Sequence, residues 1–222
     1  MTKFTGFDEV YSALYVDFDS VFARFQEMDQ EAARTFGFAP HRWIRWLENH
    51  ALRILYGEGV RRRILKRLCY INLQRYQEYR HAFSRSAFQI IDCPTQGSRN
   101  KTNAEIRMVM DCVDDLSHTT HFDEFIIFSG DMDLSPLLIR LQEHARRALV
   151  LSVGHAPICT AAASWRIRED WFLQQALRED KNEDAETEAL SGSVSHGARQ
   201  SPQTDNNHEN GNERASSTAD AW

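Results

Sequence analysis

The sequence predicts an α/β protein built on a mostly parallel sheet with helices on both faces. Three observations lead there. Short apolar runs of strand length recur through the first 178 residues, segments with a helical apolar period fall between them, and two of the runs end in the same Asp-x-Asp pattern. Strands alternating with helices pair in parallel, because each helix returns the chain to the same end of the sheet.

The elements follow in order. Ala13 to Phe18 is an apolar run that closes in acids, the form of a buried strand. Residues 41 to 56 place Trp43, Trp46, Leu47, Ala51, Ile54 and Leu55 on one helical stripe. Ile64 to Ile71 and Phe88 to Ile91 read as strands, with a helix around Arg75 to Phe83 between them. Ala104 to Leu116 is helical, with Ile106, Val109, Met110, Val113 and Leu116 in register as its inner face. Glu124 to Ser129 is the clearest buried strand. Ser135 is the expected N-cap and Pro136 the first residue of the next helix, through Leu137, Leu138 and Leu141. Arg147 to Val153 is a further strand, and small residues around Ala161 to Ala163 suggest a last helix.

The 222 residues suffice for one domain of ordinary size, here residues 1–178. Residues 179–222 turn to Ser, Asn, Gly, Glu, Asp and Thr with almost no large apolar side chains. They form an acidic tail that buries too little to offset its ordering entropy and is expected to be disordered. No stretch reaches the roughly 18 to 20 apolar residues of a membrane span, and Met1 to Val10 lacks the apolar core of a signal peptide. Cys69, Cys93, Cys112 and Cys159 are isolated, as reduced cysteines are, so a cytoplasmic protein is expected.

The net charge of −6 conceals an uneven distribution. The tail carries −7 and the first 178 residues +1. Residues 58 to 85 hold eight bases, Arg61, Arg62, Arg63, Lys66, Arg67, Arg75, Arg80 and Arg85, against Glu58 and Glu78. Such a strip suits phosphate, and Arg61, Arg62 and Arg63 are candidate substrate-phosphate contacts. Tyr70, Tyr76, Tyr79 and Phe83 interleave with it, as bases stacked on aromatics would need, although core packing accounts for them more simply. Trp43 and Trp46 are core residues, and His118 and His121 a loop pair without a third metal ligand.

Leu14-Tyr-Val-Asp17-Phe-Asp19 and Ile126-Ile-Phe-Ser-Gly-Asp131-Met-Asp133 share one design, an apolar strand followed by Asp-x-Asp. Sites in parallel α/β sheets form at the carboxyl ends of strands, so both pairs reach one edge if the strands are neighbours. Two unit charges about 4 Å apart repel by about 4 kcal/mol at an effective dielectric near 20. A hard divalent cation bound through oxygen relieves that repulsion and leaves positions open for phosphate. The plainer reading of a single strand-end Asp is a helix cap or turn former.

At these residues the sequence resembles the NYN family, relatives of the PIN-domain ribonucleases. The resemblance covers most of residues 10 to 178. It rests on Val16-Asp17-Phe18-Asp19-Ser20, on Lys101-Thr-Asn-Ala-Glu105-Ile-Arg-Met-Val-Met-Asp111, and on Ser129-Gly-Asp131-Met-Asp133-Leu-Ser-Pro136. It implies a three-layer α/β/α fold and Mg²⁺- or Mn²⁺-dependent cleavage of RNA by a metal-activated water. By resemblance, Asp17, Glu105 and Asp131 are catalytic metal ligands assisted by Asp133, and Lys101 contacts substrate phosphate. Asp111 matches another recurrent acid. It lies about 240° around a regular helix from Glu105, so it is the lesser metal candidate. The sequence departs from the family at Ser20 (usually Asn), Glu105 (usually Asp) and Leu134 (usually aromatic).

The expected function is therefore a metal-dependent ribonuclease with RNA as partner, no membrane, and self-association left open. Two alternatives stand beside it. The departures at Ser20 and Glu105 suit a catalytically weak or inactive RNA-binding scaffold of the same fold. Asp17-Phe-Asp19 also resembles the opening motif of haloacid-dehalogenase-type phosphatases. There, however, the closing acids are spaced more widely than Asp131 and Asp133, and a Ser or Thr between the motifs is not evident.

Overall fold

A computed structural model describes residues 8–95, 103–130, 133–154 and 163–178. Lys101, Asp131, Cys159, the tail 179–222 and most of the small-residue helix expected near 161–163 lie outside the described residues.

Six parallel strands form one sheet in the order β3-β2-β1-β4-β5-β6. They are β1 Asp8–Asp17, β2 Val60–Ile71, β3 Gln89–Asp92, β4 Glu124–Ser129, β5 Arg147–Ser152 and β6 Trp165–Ile167. The chain winds outward one way from β1 through β2 to β3, then returns beside β1 with β4 and winds the other way. The reversal lies between β1 and β4, where Val16 pairs with Phe128. The helices diverging from that point leave a crevice at the carboxyl ends of the two strands. The two acid-tipped strands are thus neighbours, as the sequence requires.

The helices are α1 Phe18–Met28, α2 Gln30–Phe38, α3 Pro40–Trp46, α4 Leu52–Tyr56, α5 Leu73–Tyr76, α6 Arg80–Arg85, α7 Ala104–Asp114, α8 Ser135–Glu143 and α9 Glu169–Phe172. One face of the sheet, with Leu14, Val16, Cys69, Ile126, Phe128 and Leu151, packs against Phe18, Phe25, Phe36, Trp43 and Phe172. The other, with Ala13, Tyr15, Tyr70, Phe125, Ile127 and Val150, packs against α7 and α8. The result is the three-layer α/β/α arrangement. Among the described residues no helix is long and apolar enough to cross a membrane.

Several elements depart from the sequence reading for physical reasons. Residues 41 to 56 are not one regular helix, because Leu47–Ala51 forms a π-turn between α3 and α4. The widened turn advances the phase, so Leu52 packs inward while Ile54, expected inside, is 58% exposed. In α7 the buried residues are Ala104, Met108 and Cys112, whereas Ile106 and Met110 are 66% and 60% exposed. Ser135 is the first helical residue of α8 rather than its cap. Asp133 accepts the Ser135 N–H at 3.0 Å instead. Tyr76, Tyr79 and Phe83 are buried in the aromatic core around Phe18 and are not placed to stack on bases.

Candidate metal centre

Asp17 is the last residue of β1. Along a strand alternate side chains share a face, so Asp17 follows Ala13 and Tyr15 towards the α7 layer. Its carboxylate is 1% exposed. The Ser20 hydroxyl, in the first turn of α1, donates to Oδ2 at 2.6 Å, and Oδ1 has no hydrogen-bond partner among the described residues. Burial pushes the carboxyl up to about 7, against the Ser20 bond, and the charges of Glu105 and Asp19 push in the same direction as burial. A buried acid among negative neighbours is a candidate cation-binding group.

Glu105, in the first turn of α7, is half-buried and acts on Asp17 through its charge. Asp19 accepts the Asn72 N–H at 3.0 Å, and burial raises its pKa. Among the described residues, three further buried oxygens at this end of the fold have no partner: Asn103 Oδ1 just before α7, Ser129 Oγ at the end of β4 and Ser152 Oγ at the end of β5. Ser129 and Ser152 are register partners, and Ser129 is the next residue after Phe128, which pairs with Val16. The sequence reading gave no role to Asn103 or Ser152. Strand register is what brings Ser152 level with the acid motif, and a single sequence does not display it.

Gly130 follows β4 because space there is closed: a Cβ would stand 2.5 Å from the Cβ of Ser20. The first turn of α1 thus packs directly on the loop that leads to Asp131.

The other expected site residues are placed as follows. Asp133 is exposed and its carboxylate serves the Ser135 N–H, which holds its pKa below the usual range. Asp111 is half-buried and accepts the hydroxyl of Tyr70, the register partner of Asp17, at 2.5 Å. Asp131 and Lys101 lie outside the described residues. Among the described residues no three His, Cys, Asp or Glu side chains converge closely enough to hold an ion. The described part of the centre supplies Asp17 and Glu105.

The expected phosphate contacts Arg61, Arg62 and Arg63 are not brought to this site. They stand at the opposite end of the sheet, where Arg62 pairs in register with Val10. Seven residues of strand separate Val10 from Asp17, about 23 Å. Arg62 is corrected outright: its side chain is buried, with Nε 2.8 Å from Glu124, and Glu124 also accepts from Ser12 and Tyr56. A buried guanidinium paired in this way has no face left for phosphate. Arg63 is exposed and donates to Glu9 at 3.0 Å. Lys66 and Arg67 pair with Asp115 and Glu48, so the basic strip of the sequence does not form one free surface.

Among the described residues the polar groups around Asp17 are carboxylate, hydroxyl and amide oxygens, beside the thiols of Cys69 and Cys93, which burial and the charges of Asp17 and Asp19 keep protonated. The oxygen set fits a hard divalent cation such as Mg²⁺ or Mn²⁺. No curated protein matches the chain. The NYN domain profile matches residues 4–167, spanning all six strands and the acid motifs. The chain belongs to the NYN domain family, a nuclease-type family of the PIN-like superfamily.

Proposed function

We propose that this protein is a Mg²⁺- or Mn²⁺-dependent ribonuclease that hydrolyses phosphodiester bonds at the crevice between β1 and β4. The observation that carries the reading is Asp17: buried, unpartnered at Oδ1, and pressed upward to about 7 by burial and by neighbouring acids. Desolvating a carboxylate is costly unless something compensates, and a cation held by Asp17 and Glu105 is that compensation. Asp131 and Asp133 complete the acidic set in this reading, with Lys101 as the phosphate contact. A bound divalent ion supplies Lewis-acid polarisation of the phosphate and makes water more acidic.

The protein's own groups have separate tasks. Ser20 fixes the rotation of the Asp17 carboxylate by holding Oδ2, so that Oδ1 is presented to the crevice. The Ser129, Ser152 and Asn103 oxygens would line the site with hydrogen-bonding groups rather than an apolar wall. RNA is the substrate class implied by the family, with single strands the simplest form to enter an open sheet-edge crevice.

The test is a Mn²⁺ and Mg²⁺ titration on end-labelled single-stranded RNA, with wild type and Asp131→Asn purified side by side. Metal-dependent cleavage by wild type, reduced at least about 100-fold in the variant, supports the reading. Equal cleavage by both preparations removes this site from the reaction. Undiminished RNA binding without any cleavage favours the scaffold alternative.

A further inference from the structure

We infer that Tyr70 and Asp111 are positioning residues for the metal centre: their hydrogen bond sets the depth and rotation of α7, and so places Glu105 against Asp17. The inference rests on reading Asp17 and Glu105 as the groups that hold the ion.

The geometry of α7 points to it. The buried apolar residues of the helix are Ala104, Met108 and Cys112, which are small or flexible. Such side chains interlock weakly with a sheet and leave a helix free to slide or roll. Two polar clamps supply what packing does not. Tyr70 is the register partner of Asp17, and its hydroxyl donates to Asp111 Oδ2 at 2.5 Å. Farther from the crevice, Tyr15 donates to Asp115 Oδ2 at 2.6 Å, and Lys66 Nζ donates to both Asp115 oxygens at 2.7 and 2.6 Å.

Asp111 lies in the last turn of α7 and Asp115 is the residue that caps it, four positions on, so the clamps act about 6 Å from each other along the helix axis. Two points fix both slide and roll. Glu105 then projects from the first turn, about 9 Å beyond Asp111. The phenols are suited to the task, since burial drives both tyrosines far above the usual phenol range and keeps them protonated donors. The recurrent acid at 111 therefore acts on the ion through the helix and not by contact.

The experiment uses the full chain and measures Mn²⁺ binding by the loss of the free-ion electron paramagnetic resonance signal, beside RNA cleavage as a function of Mn²⁺. The variants are Tyr70→Phe, Asp111→Ala, Asp111→Asn and Tyr70→Phe/Asp111→Ala, with thermal melts to show that each is folded. Tyr70→Phe and Asp111→Ala should each weaken Mn²⁺ binding about tenfold. Cleavage by Tyr70→Phe at saturating Mn²⁺ should stay within about twofold, and the double variant should bind Mn²⁺ no worse than either single one. Asp111→Asn keeps the acceptor oxygen for Tyr70 and should restore wild-type Mn²⁺ binding.

Unchanged Mn²⁺ binding in Tyr70→Phe overturns the inference. So does an Asp111→Asn defect as large as that of Asp111→Ala, which would mark Asp111 as a ligand acting by its charge. The site reading is judged separately by Asp17→Asn: if that variant binds Mn²⁺ like wild type, the centre itself is misplaced and the inference falls with it.

Discussion

The Ser20 hydroxyl donates to Oδ2 of Asp17 at 2.6 Å, while Oδ1 of the same buried carboxylate has no partner among the described residues. Ser20 stands where the family usually carries Asn, and its short side chain keeps it against the strand end. The bond favours the ionised carboxylate and opposes the burial that raises its pKa.

Removing that bond in Ser20→Ala should push the Asp17 carboxyl higher still. A hydrogen bond to a charged group contributes about 1.5–3 kcal/mol. The acid limb of the pH–rate profile should therefore move up by about one unit, with cleavage above that limb largely retained. A profile that superimposes on wild type would detach Ser20 from the reacting acid.

The raised pKa also governs stability in the absence of metal. The folded value of about 7 lies above the ordinary 3.8, so the unfolded chain gives up this proton first as pH climbs. Stability should fall between about pH 4 and pH 7 and level off above, a loss on the order of 4 kcal/mol from this group. Urea melts at pH 5 and pH 8 should show the decline in wild type and a much flatter response in Asp17→Asn. Added Mn²⁺ should stabilise wild type more at pH 8 than at pH 5, because at the lower pH the proton competes for the same oxygens.

The Arg62–Glu124 pair should matter for folding and not for substrate. Arg62→Met leaves Glu124 buried without its cation, with an expected cost of about 3–5 kcal/mol. At a temperature where the variant is folded, its KM for RNA should match wild type. A rise in KM with stability unchanged would return Arg62 to the phosphate-binding role that the basic strip suggests.

Gly130→Ala should disturb the crevice through Ser20. The added methyl would meet the Ser20 Cβ at 2.5 Å, too close to be accommodated without a shift. A loss of about 1–3 kcal/mol is expected in denaturant melts. Ser20→Gly removes the opposing Cβ, so the two changes together should cost less than their sum.

The sheet was legible where its strands are uninterrupted apolar runs. Residues 14 to 17 and 124 to 129 are buried throughout, Asp17 included. Where the reading failed, the deciding information was nonlocal. The π-turn at Leu47–Ala51 rephases a stripe that looks continuous on a regular helix. Ile106 and Met110 look like an inner face by period alone, yet α7 turns Asp111 and Asp115 inward because Tyr70 and Tyr15 offer them donors. Arg62 finds Glu124 62 residues away, and nothing near either residue signals the pairing. In α1, Phe18, Val21, Phe22 and Phe25 do form a helical stripe that could have been found, and it carries Ser20 to the site.

The acid motif shows the same division. Asp17 is recognisable from its strand and motif, but its unpartnered oxygen and its bond to Ser20 emerge only in three dimensions. Asp133, a ligand candidate in sequence, also accepts the Ser135 N–H at the start of α8, a contact that strand and motif do not announce. Ser152 joined the centre solely because β5 pairs with β4 in a register that aligns it with Ser129.

The central claim is that Asp17 holds a divalent cation, and the most direct measurement is equilibrium Mn²⁺ binding at pH 8 to wild type and to Asp17→Asn. Wild type should bind Mn²⁺ saturably, and binding should weaken at least about 100-fold in a variant that melts as a folded protein. Binding of equal strength to both would contradict it.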